Sequence, residues 1–179
     1  MKALETERLL LRGWRREDLD DLYEFARYRD AGILQGWKPH ENREESREKL
    51  DAMISDPENW AIELKENGKV IGWIKMAPDE NRGKYYAKYV SYVLSKDYWG
   101  RGYMTEALSR IIRYAFEEQK VDLLSAFHYP HNVRSGRVLE RCGFQYETTL
   151  EKTQEHYDGQ VFDAVCYSLL AKEYFEGRG

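Results

Sequence analysis

The segment from Tyr98 to Ala107 places two closely spaced glycines at the start of a helical pattern. Gly100 and Gly102 separate a strand-forming run from residues with helical periodicity. Such a junction presents several backbone N–H groups at the positive end of a helix dipole, where they can bind an anion. Glycine lets a phosphate approach the backbone closely and tolerates positive φ angles. The spacing therefore predicts a phosphate-binding turn.

Two familiar phosphate-binding motifs do not fit this turn. The dinucleotide fingerprint G-x-G-x-x-G requires a third glycine, and Thr105 stands at that position. The nucleoside triphosphate loop requires Gly-Lys followed by Ser or Thr, and the chain contains no such tripeptide. A pyrophosphate held by backbone amides, such as that of coenzyme A, remains. A single G-x-G pair is also compatible with an ordinary strand-to-helix turn.

Composition limits the classes of protein that this chain can represent. Its 179 residues, 42% hydrophobic and 34% charged, predict a single globular domain over residues 1–179. The net charge of −4 does not favour binding to nucleic acid or to an anionic membrane. No apolar run is long enough to span a membrane, and the start of the chain is too charged for a secretory signal.

The two cysteines, Cys142 and Cys166, lie in different segments and match no metal-ligand spacing. We therefore expect free thiols in a reducing compartment, most simply the cytoplasm, and no metal site.

The elements that must position the turn follow from hydrophobic periodicity and from turn residues. The predicted order is β-α-α-β-β-β-α-β-α-β-β, a mixed α/β sheet whose parallel crossover contains the glycine turn. The predicted strands are 8–12, 59–65, 69–77, 84–94, 123–128, 144–155 and 160–170, and the predicted helices are 17–28, 43–54, 105–118 and 133–142.

Two motifs in this order resemble the GNAT acetyltransferase superfamily, and more closely its RimJ/RimL-like branch. Residues 99–104, Trp-Gly-Arg-Gly-Tyr-Met, resemble the acyl-CoA motif of the superfamily, with Met104 in place of its final Gly or Ala. Residues 132–144 resemble the second motif of the branch, Asn-x-x-Ser followed by Leu-Glu-Arg-x-Gly-Phe. The resemblance implies a GNAT fold, with a mostly antiparallel twisted sheet of about seven strands flanked by about four helices.

The resemblance implies acetyl-CoA as cofactor, without a metal. Val93 and Leu94 would give backbone hydrogen bonds to the pantetheine arm. Asn132 would contact the pantetheine–pyrophosphate arm, and Ser135 would also bind the cofactor, at the cofactor's sulfur. Asn132 also suits a helix N-cap. The pyrophosphate would be bound by Trp99, Gly100, Arg101, Gly102, Tyr103, Met104 and Thr105. Met104 must then point away from the pyrophosphate.

The catalytic groups are less clearly indicated. Many members of the superfamily carry a tyrosine where Leu139 stands, and the branch carries serine at the position of Ser135. The resemblance therefore implies that Ser135 protonates the leaving thiolate, although a serine there could also bond within its own helix. Tyr92 and His128 are candidate general bases, whereas Glu106 suits the first turn of its helix.

The acceptor side is expected to include the loop from Gly32 to His40, through Trp37 and His40. Trp37 could equally pack against the core. Tyr85, on the predicted strand 84–94, is a third candidate, or a plain sheet residue.

The sequence thus predicts an acetyl-CoA-dependent N-acetyltransferase in which a primary amine attacks the thioester directly. The expected acceptor is a protein or peptide N-terminal α-amine. A small-molecule amine (a polyamine, an aminoglycoside or an amino-acid analogue) and a non-catalytic acyl-CoA-binding module remain open. An exposed strand edge or the C-terminal hairpin could support a homodimer.

Overall fold

The computed structural model describes residues 1–28, 34 and 36–177, and within them the chain forms eight strands and five α-helices. The strands are β1 (Leu4–Glu5), β2 (Leu9–Gly13), β3 (Asn59–Leu64), β4 (Val70–Pro78), β5 (Ala87–Leu94), β6 (Leu123–His128), β7 (Gln145–Glu155) and β8 (Val161–Leu170). The helices are α1 (Leu19–Ala26), α2 (Arg43–Ser55), α3 (Tyr103–Arg113), α4 (Val133–Arg141) and α5 (Ala171–Glu176).

The strands form one sheet in the order β1-β2-β3-β4-β5-β6-β8-β7. The β1–β2, β2–β3, β3–β4, β6–β8 and β7–β8 pairs are antiparallel. β5 and β6 are parallel, and α3 lies between them in the chain. The predicted mixed, mostly antiparallel sheet and its parallel crossover are therefore confirmed.

The described residues contain one strand and one helix more than the sequence predicts. The additional elements are β1, of two residues, and the terminal helix α5, of six. Both are too short for a hydrophobic period to be recognised. None of the helices in the described part of the chain is long and apolar enough to cross a membrane.

The predicted strand 84–94 is too long at its start. The Tyr86 N–H donates to the Asp122 carboxylate at 2.9 Å, and the Tyr85 N–H donates to the Arg82 carbonyl at 3.3 Å. Because these N–H groups bond to a side chain and to a turn, the strand begins only at Ala87. Tyr85 is consequently exposed and lies outside the sheet.

Residue contacts divide the chain into two compact units. The first comprises Met1–Lys75 and Tyr92–Ala107, and the second comprises Met76–Ser91 and Leu108–Gly179. In the first unit, α1 and α2 contribute to a buried cluster with residues of the sheet. Its members are Trp14, Leu22, Phe25, Ala26, Leu50, Ala61, Val70 and Val93.

The second unit has its own buried residues, some of them on α3 and β6. As the periodicity predicts, Leu108, Ile111 and Ile112 are buried on one face of α3, and Ala115 is buried just beyond its end. The helix begins at Tyr103, two residues earlier than predicted, and passes at Tyr114 into a π-helical turn that ends at Glu118.

Candidate functional site

The glycine turn connects the end of β5 to the start of α3. A short 3₁₀ turn, Lys96–Tyr98, follows β5, and the Trp99 indole N–H reaches back to donate to the Leu94 carbonyl at 2.8 Å. Gly100 and Gly102 have φ angles of 75° and 79°. These angles lie in the left-handed region that glycine adopts without strain, so both glycines are required by the backbone itself.

Backbone donors are the principal chemical feature of this turn. None of the described residues accepts a hydrogen bond from the backbone N–H groups of residues 100–104. Space is open around Gly100, where an added Cβ would meet no atom within 4 Å. Met104 is only 5% exposed, so its side chain packs inward and leaves the turn open. The donors and the space fit a bound anion at the positive end of α3.

Arg8 lies against the same turn, within the first unit. Its Nη1 donates to the Arg101 carbonyl at 3.0 Å, and its guanidinium carbon lies 4.3 Å from the centre of the Tyr103 ring. Its Nε and Nη2 bind Glu106 Oε2 at 2.7 and 2.6 Å. Burial favours the neutral Glu106 acid, but hydrogen bonds from Thr6 and Arg8 outweigh burial and lower the pKa of Glu106. Glu106 is thus a structural anion.

The end of β5 is held closely against β4. An added Cβ on Gly72 would lie 2.2 Å from the Val93 carbonyl oxygen, so only glycine allows this approach of the two backbones. Ser95 N–H donates to the Ile71 carbonyl at 2.8 Å. Val93 and Leu94 therefore have fixed backbone positions immediately before the turn.

The remaining candidates in the first unit are packed. Tyr92 is 8% exposed. Trp37 packs against the buried cluster and contacts the His40 ring edge-on, with 5.4 Å between ring centres. His40 Nδ1 lies 2.7 Å from the Ser46 hydroxyl, and burial lowers the pKa of His40. Residues 32, 33 and 35 of the predicted acceptor loop lie outside the described residues.

In the second unit, Asn132 is the N-cap of α4. Its side-chain oxygen accepts from the Ser135 N–H at 3.3 Å, and its own N–H donates to the Tyr129 carbonyl at 2.8 Å. Ser135, in the first turn, is partly exposed, whereas Leu139 is fully buried. Leu139 therefore belongs to the core, and Ser135 is the hydroxyl that this stretch of the helix offers.

His128 is buried against α4. Its Nδ1 lies 2.8 Å from the Tyr129 carbonyl, which can only accept, so Nδ1 carries the proton and Nε2 the lone pair in the neutral ring. Nε2 faces Gly136, where an added Cβ would lie 2.7 Å away. The Tyr167 ring lies on the ring of His128, with 5.6 Å between centres. The sequence places His128 near the second motif but does not reveal this packing.

Sequence reasoning missed Arg8, Thr6, Gly72 and Gly136. For Arg8 and Thr6 the reason is that their partner Glu106 lies about a hundred residues further along the chain. For the glycines the reason is a close tertiary approach, which no local pattern records. Among the described residues, no group of three or more His, Cys, Asp or Glu side chains could hold a metal ion.

The chain is similar to known acetyltransferases in sequence. The family model described as the acetyltransferase (GNAT) domain matches residues 8–145. An uncharacterized N-acetyltransferase, p20, from Bacillus licheniformis is 30% identical over 183 residues, which cover 97% of this chain and 99% of that protein. The ribosomal protein uS5-alanine N-acetyltransferase of Escherichia coli K12 is 37% identical over 97 residues, covering 54% of this chain and 50% of the enzyme.

A solved structure supports the same assignment for the fold. The crystal structure of a GNAT-family acetyltransferase from Bacillus anthracis matches with a TM-score of 0.86 and 22% identity, covering 96% of this chain and 99% of that one. The family model alone spans more than half of the chain. This chain therefore belongs to the GNAT family of N-acetyltransferases, which are acyltransferases.

Proposed function

We propose that this protein transfers an acetyl group from acetyl-CoA to a primary amine, and that residues 1–179 act as one catalytic domain. The observation that carries the proposal is that no described residue accepts a hydrogen bond from the backbone N–H groups of residues 100–104. They lie in the segment that resembles the acyl-CoA motif of the family and at the N-terminus of α3. Acetyl-CoA supplies an activated acetyl thioester there.

Each motif has a proposed part in holding the cofactor. Residues 99–105 bind the pyrophosphate through the backbone. The Val93 and Leu94 backbone groups align the pantetheine arm, since the tight approach at Gly72 fixes their positions. The Leu94 carbonyl retains one lone pair beyond the one that Trp99 uses. Asn132 contacts the same arm in addition to capping α4.

The transfer forms a C–N bond and breaks the C–S bond. The amine loses a proton as it attacks, and the departing thiolate gains one. We assign the second proton transfer to the Ser135 hydroxyl, because Leu139 replaces the tyrosine found in many relatives. A coenzyme A thiolate leaves readily, so this acid contributes only part of the rate.

The first proton transfer places a modest demand on the protein. An α-amine has a pKa of about 8, so a fraction is already neutral at pH 7 and a weak base or water suffices. His128 Nε2 and the Tyr92 hydroxyl are the proposed candidates. His128 has its proton held on Nδ1, which leaves Nε2 as the nitrogen that would take the amine proton.

For the acceptor we propose a protein or peptide N-terminal α-amine, as in the RimJ/RimL-like branch. The support is the 37% identity to the uS5-alanine N-acetyltransferase over about half of the chain. Because Trp37 and His40 are packed, we propose that they shape the acceptor region rather than bind the amine strongly. Tyr85 is exposed and available for direct contact. The thiols of Cys142 and Cys166 fit a cytoplasmic enzyme.

The test follows thiol release from acetyl-CoA with a panel of amines. The panel contains peptides with N-terminal Ala or Ser, the same peptides with a blocked N-terminus and one internal lysine, spermidine, and an aminoglycoside. Turnover only with free N-termini supports the proposal. Preference for spermidine or the aminoglycoside moves the protein to the small-molecule class. Coenzyme A binding without turnover of any amine indicates a binding module.

A further inference from the structure

We propose that Arg8 is a positioning residue for the pyrophosphate-binding turn, which deepens, and rests on, the proposed function. Arg8 is about ninety residues away in sequence and makes three contacts with the turn and the start of helix α3. The contacts are with the Arg101 carbonyl, the face of the Tyr103 ring and the Glu106 carboxylate. A single planar side chain therefore fixes the turn relative to the helix that follows it.

The contact with the Arg101 carbonyl sets the direction of a backbone donor. In a trans peptide the C=O and the following N–H point in opposite directions. The described chain contains no cis peptide. Because Arg8 Nη1 holds the Arg101 oxygen at 3.0 Å, the Gly102 N–H must point away from Arg8. That N–H has no acceptor among the described residues, so it is oriented and available for a phosphate oxygen.

Glu106 and Thr6 hold Arg8 in this geometry. Glu106 Oε1 accepts from the Thr6 hydroxyl at 2.5 Å and from the Arg8 N–H at 2.9 Å, while Oε2 accepts from the Arg8 guanidinium. The Thr6 hydroxyl also accepts from the Leu9 N–H at 2.9 Å, which ties the network to the start of β2. Both carboxylate oxygens are thus used, and the three residues form one connected network.

The network also separates positioning from simple attraction of the anion. The positive charge of Arg8 is matched by Glu106 at 2.6 Å, so Arg8 adds little net charge to the turn. Its role depends instead on the forked guanidinium, which reaches Arg101 and Glu106 at once while stacking on Tyr103. A lysine would keep the charge but lose the fork and the stacking. Arg8→Lys is therefore the informative substitution.

The experiment compares Arg8→Lys with a control, Arg47→Lys, whose arginine pairs with Glu44 on the surface of α2. Calorimetry gives the Kd of coenzyme A, and steady-state assays compare acetyl-CoA with S-acetylpantetheine, which lacks the pyrophosphate. We expect Arg8→Lys to weaken coenzyme A binding about tenfold, the loss of about one hydrogen-bonded contact to a charged group. The KM for acetyl-CoA should rise while kcat and the kcat/KM for S-acetylpantetheine remain unchanged.

If the wild-type protein binds coenzyme A, two results for Arg8→Lys would overturn the inference. One is an unchanged Kd for coenzyme A in Arg8→Lys, which would make Arg8 merely structural or electrostatic. The other is an equal loss with both acetyl donors, which would mean a general distortion. A wild-type protein that binds no coenzyme A would overturn the proposed function itself, and the positioning role with it. Wild-type binding combined with a normal Arg8→Lys variant would overturn the positioning role alone.

Thr6 provides a second, milder test should Arg8→Lys fail to fold. Thr6→Val keeps the shape of the side chain but removes the hydroxyl from Glu106, while Thr6→Ser keeps the hydroxyl. We expect Thr6→Val to weaken coenzyme A binding about threefold, because one hydrogen bond is lost. Thr6→Ser keeps that hydrogen bond and should bind coenzyme A normally. Equal affinities for the two variants would count against the network.

Discussion

The glycine turn at residues 99–104 and the start of helix α4 both lead a loop into a helix, but their backbone donors have different fates. At α4, the Ser135 N–H is taken by Asn132, through both its side-chain oxygen and its carbonyl. At the turn, the N–H groups of residues 100–104 have no acceptor among the described residues. The backbone donors at the two helix starts thus differ in what they can bind.

We propose from this difference that the two motifs contribute different groups to the reaction. The turn contributes its backbone, and the side chains around it hold that backbone in place. Trp99 donates a hydrogen bond to the Leu94 carbonyl, and Arg8 donates one to the Arg101 carbonyl. At the start of helix α4 the Ser135 N–H is capped and Gly136 packs closely against His128, so we propose that this helix contributes side chains such as Ser135. Substitutions can therefore disturb binding at the first motif and stability or turnover at the second.

The largest effect is expected for Gly100→Ala. A Cβ at φ 75° is strained and enters the open space in front of the N–H groups. We expect coenzyme A affinity to fall about thirtyfold, or about 2 kcal/mol, as hydrogen bonds to a charged group are lost. Calorimetry measures the change. Gly68→Ala is a matched control, because Gly68 has φ 74° and equally open surroundings in a hairpin turn. Equal affinities in the two variants would refute a backbone cradle.

Gly136→Ala tests the close packing of helix α4 against His128. The added methyl would lie 2.7 Å from His128 Nε2, and His128 is held by Tyr129 and Tyr167. We expect the free energy of unfolding to fall by about 1–2 kcal/mol, since overpacking exceeds the gain in helix propensity from alanine. Chemical denaturation measures it. Combining Gly136→Ala with His128→Ser should remove most of the penalty, and simple additivity would argue against the contact.

Ser135→Ala separates catalysis from binding. Loss of the proposed acid should lower kcat about tenfold, a modest share of what general acids can contribute. The Kd of coenzyme A should change less than kcat, because the pyrophosphate is proposed to bind at the other motif. Ser109→Ala, at an exposed position of α3, serves as control. An unchanged kcat would remove Ser135 from the acid role.

Asn132 has two proposed tasks, and two substitutions distinguish them. Asn132→Ala should lower the free energy of unfolding by about 1 kcal/mol through loss of the N-cap. Asn132→Ser should restore stability, because serine caps helices well, but not the contact with the pantetheine arm. We therefore expect normal unfolding and about threefold weaker coenzyme A binding in Asn132→Ser. Normal binding would leave Asn132 a cap alone.

The smallest expected effect is a loss of stability at low pH through Glu106. Burial opposes ionisation of Glu106, but its bonds to Thr6 and Arg8 lower its pKa below the ordinary value. Its stabilising contribution is then complete above about pH 4.5 and is lost as the pH falls through the lowered pKa. Because Glu106 is partly exposed, we expect less than about 1 kcal/mol. Glu106→Gln should reduce the dependence of the free energy of unfolding on pH. Glu44→Gln, on the exposed face of α2, should leave that dependence unchanged.

The regular elements were largely predictable, because hydrophobic period and turn residues act locally. The strand Leu123–His128 and the helix from Val133 lie where the sequence predicts them. The start of β5 was not predictable, because Asp122 takes the Tyr86 N–H from a distant position in the chain. Tyr85 was misplaced on the sheet for the same reason: its tyrosine-rich neighbourhood favours a strand that the tertiary hydrogen bonds shorten.

The sequence by itself determined the family, the crossover and the position of the glycine turn, because these depend on spacing along the chain and on residues such as Gly100 and Gly102. Only the tertiary structure decided how that turn is held. Arg8 reaches Arg101, Tyr103 and Glu106 from the residue just before β2, near the start of the chain. The physical reason is that hydrogen bonds and close contacts depend on distance in space, and a one-dimensional pattern does not record that distance.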